Sequence, residues 1–236
     1  SKLDIKVVAI TGSTGKTSTK DLTASVLSSK YKVFKTEGNF NNEIGLPLMI
    51  FKLDKTYDIA VLEMGMSNFG EIHKMAEVAL PDVAIITNIG ISHIENLKTR
   101  ENILKAKLEI TDFFGENNVL IVNGEDDLLA NLEEKEYKLI KTGLEKNHNI
   151  YGYDIKLNEN KVDFKVFENK SACKTEINIP VPGKHNVLNS LLAISCGREF
   201  EMNFYDIKNG LLDLKTTSMR LDIIKGEKFN IVDDSY

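Results

Sequence analysis

The stretch that most constrains this chain lies near its start. Lys6-Val7-Val8-Ala9-Ile10 runs straight into Thr11-Gly12-Ser13-Thr14-Gly15-Lys16-Thr17-Ser18-Thr19, and a helical pattern follows near 17–29. A short apolar run, a turn with two glycines, a Lys-Thr pair and a helix start make up the layout of a phosphate cradle. Glycine lets the backbone approach an anion, and the first turn of a helix presents N–H groups without helical partners. In that layout Lys16 neutralises the β- and γ-phosphates of a nucleotide, and Thr17 offers its hydroxyl to Mg²⁺. Two residues rather than the common four separate the glycines. Spacing alone therefore leaves open a plain glycine turn capping a helix.

The same rhythm continues. Asp58-Ile59-Ala60-Val61-Leu62, Asp82-Val83-Ala84-Ile85-Ile86 and Asn118-Val119-Leu120-Ile121-Val122 are short, apolar and often β-branched, with helical patterns near 70–79 and 100–114 between them. Runs without alternation read as parallel strands covered on both faces. After about residue 148 the pattern changes. Val162, Phe164 and Val166 alternate with polar residues, as do Ile177, Ile179 and Val181, with turn-like breaks at Asn158-Glu159-Asn160 and Glu168-Asn169-Lys170. Helices are expected near 186–200 and 204–213, and strands at 219–225 and 228–232. The expected fold is α/β, a doubly wound, mostly parallel sheet with a P-loop, plus a small antiparallel β-meander. Ligands of such sheets bind outside the carboxyl ends of the strands.

Charge narrows the function. Thirty basic against thirty-five acidic side chains leave a net charge of −5, with no basic stripe to suit nucleic acid or an anionic membrane. An anionic ligand needs a local cradle instead. No apolar run reaches membrane-spanning length, and Ser1-Lys2-Leu3-Asp4 lacks a signal-peptide core. Cys173 and Cys196 are too few and too isolated for a disulfide framework or a zinc site. A cytoplasmic location is the expectation.

Further along, several groups recur in one order: Glu63 in Val61-Leu62-Glu63-Met64-Gly65, Asn88-Ile89-Gly90-Ile91-Ser92-His93, Lys105-Ala106-Lys107-Leu108-Glu109, Gly183-Lys184-His185-Asn186 with Asn189, Arg220, and Asp233-Asp234-Ser235-Tyr236. With the shortened glycine loop, these resemble the Mur ligases, ATP-dependent amide-forming enzymes of peptidoglycan precursor synthesis. Thr36-Glu37-Gly38-Asn39-Phe40-Asn41-Asn42-Glu43-Ile44-Gly45-Leu46-Pro47 looks most like the branch that joins D-alanyl-D-alanine to UDP-N-acetylmuramoyl-tripeptide. Ser218-Met219-Arg220 departs from the Pro-Gly-Arg of many members but keeps the charge. The resemblance covers residues 1–236 as the central ATP-binding domain of a three-domain enzyme. On that basis the amino-terminal UDP-binding and carboxyl-terminal domains are expected to be absent, and the isolated fragment inactive. A monomer is expected. A folylpolyglutamate or cyanophycin synthetase type of ligase would share the ATP site, and a nucleotide-binding regulatory module is the alternative outside ligase chemistry.

The resemblance also implies roles. ATP would sit on Thr11, Gly12, Ser13, Thr14, Gly15, Lys16, Thr17 and Ser18, with Asn186 and Asn189 on adenine and Arg220 and Asp234 on phosphate and ribose. Mg²⁺ would be held by Thr17, Glu63, His93 and Lys107, with Lys16, Glu63, His93 and Lys107 catalytic and Asn39 and Asn42 facing the UDP-sugar substrate. Read alone, Glu63 also fits a strand-end acid bonded to a neighbouring loop, Asn186 an N-cap, and Arg220 and Asp234 surface charges. His73 and His148 read as surface residues. Glu101, Lys105 and Glu109 lie four apart as a solvated face, whereas Lys107 follows Ile103 by four and precedes Ile110 by three, on the apolar stripe. A lysine there ordinarily snorkels outward. The resemblance instead implies that Lys107 carries a carbamate.

Overall fold

The computed structural model describes residues 3–214 and the strand backbone at 222–225 and 230–233. From the start the chain forms β1 (Lys6–Thr11), α1 (Lys16–Ser28), β2 (Val33–Lys35), α2 (Gly45–Ile50), β3 (Ile59–Glu63), α3 (Glu71–Ala79), β4 (Val83–Ile86), α4 (Ile94–Leu97), α5 (Arg100–Leu108) and β5 (Val119–Asn123). There follow β6 (Lys138–Gly143), β7 (Ile150–Leu157), β8 (Val162–Glu168), β9 (Cys173–Ile179), α6 (Lys184–Glu199) and α7 (Phe204–Leu212). Finally β10 (Asp222–Lys225) and β11 (Asn230–Asp233) pair antiparallel.

Strands β1 to β9 form one sheet in the order β2-β3-β1-β4-β5-β6-β7-β8-β9. Pairing is parallel from β2 through β7 and antiparallel at β7–β8 and β8–β9. The meander therefore continues the main sheet, joined through Ile150 and Tyr151 of β7. Its strands alternate because only one face is packed, while the parallel strands are buried on both.

Side-chain alternation along each strand splits the core into two layers. Val8, Ile10, Val61, Ile85 and Ile121 pack with Leu22 and Val26 of α1, Val187 and Leu191 of α6, and Ile207 of α7. On the other face Ala9, Leu62, Ala84, Ile86 and Leu120 meet Met49 of α2, Ile72 and Met75 of α3, and Ile103 of α5. Each fully buried aliphatic side chain contributes about 1.5–3 kcal/mol. Among the described residues no helix is long and apolar enough to cross a membrane.

Four short elements, β2, α2, α4 and β6, lie outside the sequence expectation. Lys138 and Lys141 mask β6: the first reaches Glu199 at 2.7 Å and the second the Ala130 carbonyl at 2.7 Å, so their stems lie on the sheet while their charges are met elsewhere. The helix expected to reach residue 114 ends at Leu108 and passes into a 3₁₀ turn over Glu109–Thr111.

One topological feature positions the site. β1 lies between β3 and β4. The chain leaves β1 toward β2 and β3, then crosses back to β4, so the loops after β1, β3 and β4 open on one crevice at the carboxyl ends of the strands.

Candidate active site

Two glycines shape the loop after β1. Gly12 has φ +151°, and a Cβ there would overlap the Thr87 hydroxyl and lie 3.2 Å from the Thr87 nitrogen. Gly15, with φ 78° and ψ 0°, is the N-cap of α1, and no side chain caps that helix. Its first-turn N–H groups are directed at the space in front of the loop. The segment after β4 holds the loop from behind. The Ser13 N–H donates to the Asn88 carbonyl at 3.0 Å, the Thr14 N–H to Asn88 Oδ1 at 3.0 Å, and the Thr87 hydroxyl to the Thr14 carbonyl at 2.6 Å. Gly90 N–H donates to Ser13 Oγ at 2.9 Å. Lys16 folds over the loop, its Nζ 3.0 Å from the Gly12 carbonyl.

A cleft of about 500 Å³ opens in front, lined by Ser13 to Thr17, Asn41, Asn42, Glu63, Gly65, Met66, Ser67, Glu71 and His93. Glu63 ends β3 and is 3% exposed. Its Oε1 accepts from Asn41 Nδ2 at 2.9 Å, while its buried Oε2 has no hydrogen-bond partner. A carboxylate oxygen is expensive to bury in that state, and a cation in the cleft would meet it. Among the described residues no three His, Cys, Asp or Glu side chains gather into a preformed metal cage. The oxygen donors present, the Glu63 carboxylate and the Thr17 hydroxyl, suit Mg²⁺ completing its shell with phosphate oxygens and water, and the His93 imidazole lines the same cleft.

Cationic groups converge on the same place. Lys107 on α5 is 2% exposed, and burial, then the charge of Lys16, pushes its amine down to about 7. Lys105 is exposed, as the helical spacing predicts. Partial burial, then the charges of Lys107 and Lys16, lowers the His93 imidazole below its ordinary value. The shift favours the neutral ring, the form in which imidazole ligates metal. Lys107 is not among the residues that line the cleft.

Of the remaining expectations, Asn189 is buried with its Oδ1 3.0 Å from where a Cβ on Gly15 would stand, against the phosphate loop. Asn186 does not cap α6, whose N-cap is Gly183; its Nδ2 donates to the Pro182 carbonyl at 2.7 Å. Asn42 lines the cleft, and its Oδ1 accepts from the Gly45 N–H at the start of α2 at 2.7 Å. Asn39 is exposed and lies outside the cleft lining, as do buried Thr11 and half-buried Ser18. Arg220 and Asp234 lie outside the described residues.

Two expectations fail. His148 is 7% exposed, not a surface residue, its ring packed where Gly124 and Gly143 leave no room for a Cβ and its Nε2 3.2 Å from Glu125 Oε1. Glu109 is more than a solvated charge: its carboxylate accepts the Gly70 N–H at 2.9 Å and the His73 N–H at 3.2 Å, anchoring the start of α3. Sequence reasoning also missed Asn41 and Glu71 as cleft residues. Burial opposes it, but bonds from the Ser67 N–H at 2.7 Å and Asn68 at 3.0 Å hold the Glu71 carboxyl below the usual range. Asn41 stood within the run that carried the resemblance; Glu71 had no sequence signal beyond its place at a helix start.

Sheet order, glycine loop and facing carboxylate define the chain as an open doubly wound α/β domain of the phosphate-loop class. It belongs to the Mur ligase family, whose middle-domain model matches residues 10–197. The chain is 43% identical over 237 residues to the UDP-N-acetylmuramoyl-tripeptide--D-alanyl-D-alanine ligase of Bacillus subtilis, covering 100% of this chain and 50% of that protein. MurF from Acinetobacter baumannii superposes with a TM-score of 0.92 at 31% identity, over 99% of this chain and 51% of that one. MurF from Thermotoga maritima, solved in complex with ADP, gives a TM-score of 0.85 at 30% identity, over 99% and 54%. The chain thus spans about half the length of the curated relatives it matches.

Proposed function

We propose that this chain is the ATP-binding core of an ADP-forming amide ligase that adds D-alanyl-D-alanine to UDP-N-acetylmuramoyl-tripeptide in peptidoglycan precursor synthesis. The observation that carries the reading is Glu63: a buried carboxylate with one unpartnered oxygen, across a single cleft from the Lys16 loop. The names of the relatives supply the substrates.

In this reading the first-turn N–H groups of α1 and the Lys16 ammonium bind the ATP phosphates and offset charge as the γ-phosphoryl moves to the substrate carboxylate. The resulting acyl phosphate is attacked by the amine of D-alanyl-D-alanine, and the tetrahedral intermediate expels phosphate as the amide forms. Glu63, Thr17 and His93 would hold Mg²⁺, which when bound supplies further charge neutralisation. Lys107, its amine near half-neutral at about 7, is nucleophilic toward carbon dioxide, and a carbamate there would make a second anionic ligand. Asn186 and Asn189 would contact adenine, and Arg220 and Asp234 phosphate and ribose. Asn42 is better placed than Asn39 to meet the UDP-sugar substrate.

The full-length protein, given ATP, should sustain ADP release over many turnovers only when both UDP-N-acetylmuramoyl-tripeptide and D-alanyl-D-alanine are present. Sustained ADP release that ignores either one would sink the ligase assignment and favour a regulatory nucleotide switch.

A further inference from the structure

Lys20 follows Lys16 by one turn of α1 and is 1% exposed. An ammonium is costly to bury, and an apolar side chain of similar length would fill the space at less cost. Its bonds are specific. Nζ donates to the Thr36 carbonyl at 3.0 Å and lies 3.7 Å from Asp21 Oδ1, an oxygen that also meets Lys35 at 2.8 Å. Thr36 is buried directly after β2; its N–H donates to the Val61 carbonyl at 3.0 Å, and its Oγ1 accepts the Glu63 N–H at 3.0 Å. Two hydrogen bonds joined through the body of Thr36 thus link the helix that opens at the glycine loop to the backbone of Glu63.

We propose that Lys20 is a positioning residue that, through Thr36, fixes the Glu63 backbone and so aims its carboxylate into the cleft. The inference rests on the reading of Glu63 as a divalent-cation ligand. Three tethers then define the Glu63 side chain: Thr36 at its N–H, the β1–β3 ladder along its strand, and Asn41 at Oε1. Residues that orient a ligand typically change metal affinity 10–100-fold when removed. Lys20 does so at one further remove, by fixing the Thr36 backbone from which the hydroxyl reaches the Glu63 N–H.

The test is Mn²⁺ binding to the full-length protein with ADP present, read from the free-ion electron paramagnetic resonance signal, together with thermal unfolding. Lys20→Met and Thr36→Val should each weaken Mn²⁺ about tenfold, and the double variant should be little worse than either single one. Thr36→Ser keeps the acceptor and should bind as wild type. Glu63→Gln is the control for the ligand reading, and wild-type Mn²⁺ affinity in that variant would remove Glu63 from the cation site. If Glu63→Gln loses Mn²⁺ while Thr36→Val and a folded Lys20→Met bind normally, even with lowered melting temperatures, Lys20 is only a core residue. Should Lys20→Met fail to fold, the Thr36→Val and Thr36→Ser pair decides.

Discussion

The Asn41 amide nitrogen donates to Glu63 Oε1 at 2.9 Å, and the Asn41 carbonyl accepts the Gly65 N–H at 2.7 Å. Asn41 is thus tied to Glu63 and to the turn just after β3, and occupies one carboxylate oxygen while leaving the other to the cleft. Asn41→Ala should weaken divalent-cation affinity about 10–100-fold with little change in nucleotide affinity. Asn41→Asp should bind the cation better than Asn41→Ala, because a second carboxylate beside Glu63 attracts a divalent ion. Titrating Mg²⁺ against ADP release at saturating ATP checks both, and an unchanged Mg²⁺ midpoint in Asn41→Ala would count against this role.

Lys16→Ala should lower turnover of the full-length protein about 10²–10³-fold, the loss of one preorganised donor at about 2.7–4 kcal/mol. Folding should be nearly unaffected, within about 0.5 kcal/mol, because the side chain is half-exposed and bonds to loop carbonyls of Gly12 and Ser13. Steady-state kinetics beside denaturant unfolding separate the two effects. Full turnover would show that the cradle lies elsewhere.

Gly12→Ala should be more damaging than Gly70→Ala, which carries backbone strain without a clash. Both glycines have positive φ, +151° and +81°, but a Cβ at Gly70 meets nothing within 4 Å while one at Gly12 overlaps the Thr87 hydroxyl. Overpacking and strain together should cost Gly12→Ala about 1–3 kcal/mol and shift the loop away from its nucleotide geometry. Thr87→Ala should partly rescue Gly12→Ala, whereas Thr87→Ser, which keeps the hydroxyl, should not. Equal stability of the two glycine variants would contradict this.

Lys107 makes stability depend on pH in a defined direction. Its amine falls from 10.5 to about 7 through burial and then the charge of Lys16, so between those values the unfolded chain binds more protons than the folded one. Burial of the charged form therefore destabilises the fold fully below about 7, and the penalty is relieved as pH rises toward 10.5. In carbon-dioxide-free buffer, wild type should gain on Lys107→Met by at most about 1.4 kcal/mol per pH unit across that window. Bicarbonate should restore turnover to carbon-dioxide-depleted wild type but not to Lys107→Ala, and Lys105→Ala should change little. A flat stability difference with no bicarbonate response would leave Lys107 as a buried lysine without a carbamate.

What the amino-acid order determined by itself was local. The β1–loop–α1 unit was legible because its turn chemistry, β-branched strand and Lys-Thr pair act within one short stretch. The inward face of Lys107 and the outward face of Lys105 followed from helical spacing alone. The switch to alternation beyond residue 148 followed from strand spacing in the same way, and records a sheet packed on one side. Tertiary structure decided which side chains meet. Lys20 reaches Thr36, Asn41 reaches Glu63, and His148 is buried between Gly124 and Gly143, each pair separated by connections whose patterns carry no mark of the contact. Strand β6 was hidden because its lysines resemble solvent residues until Glu199 and the Ala130 carbonyl receive them. Periodicity is a property of neighbours along the chain. The aim of a buried carboxylate or the state of a buried amine depends on strand order and register, which bring distant residues within hydrogen-bond distance only once the sheet has formed.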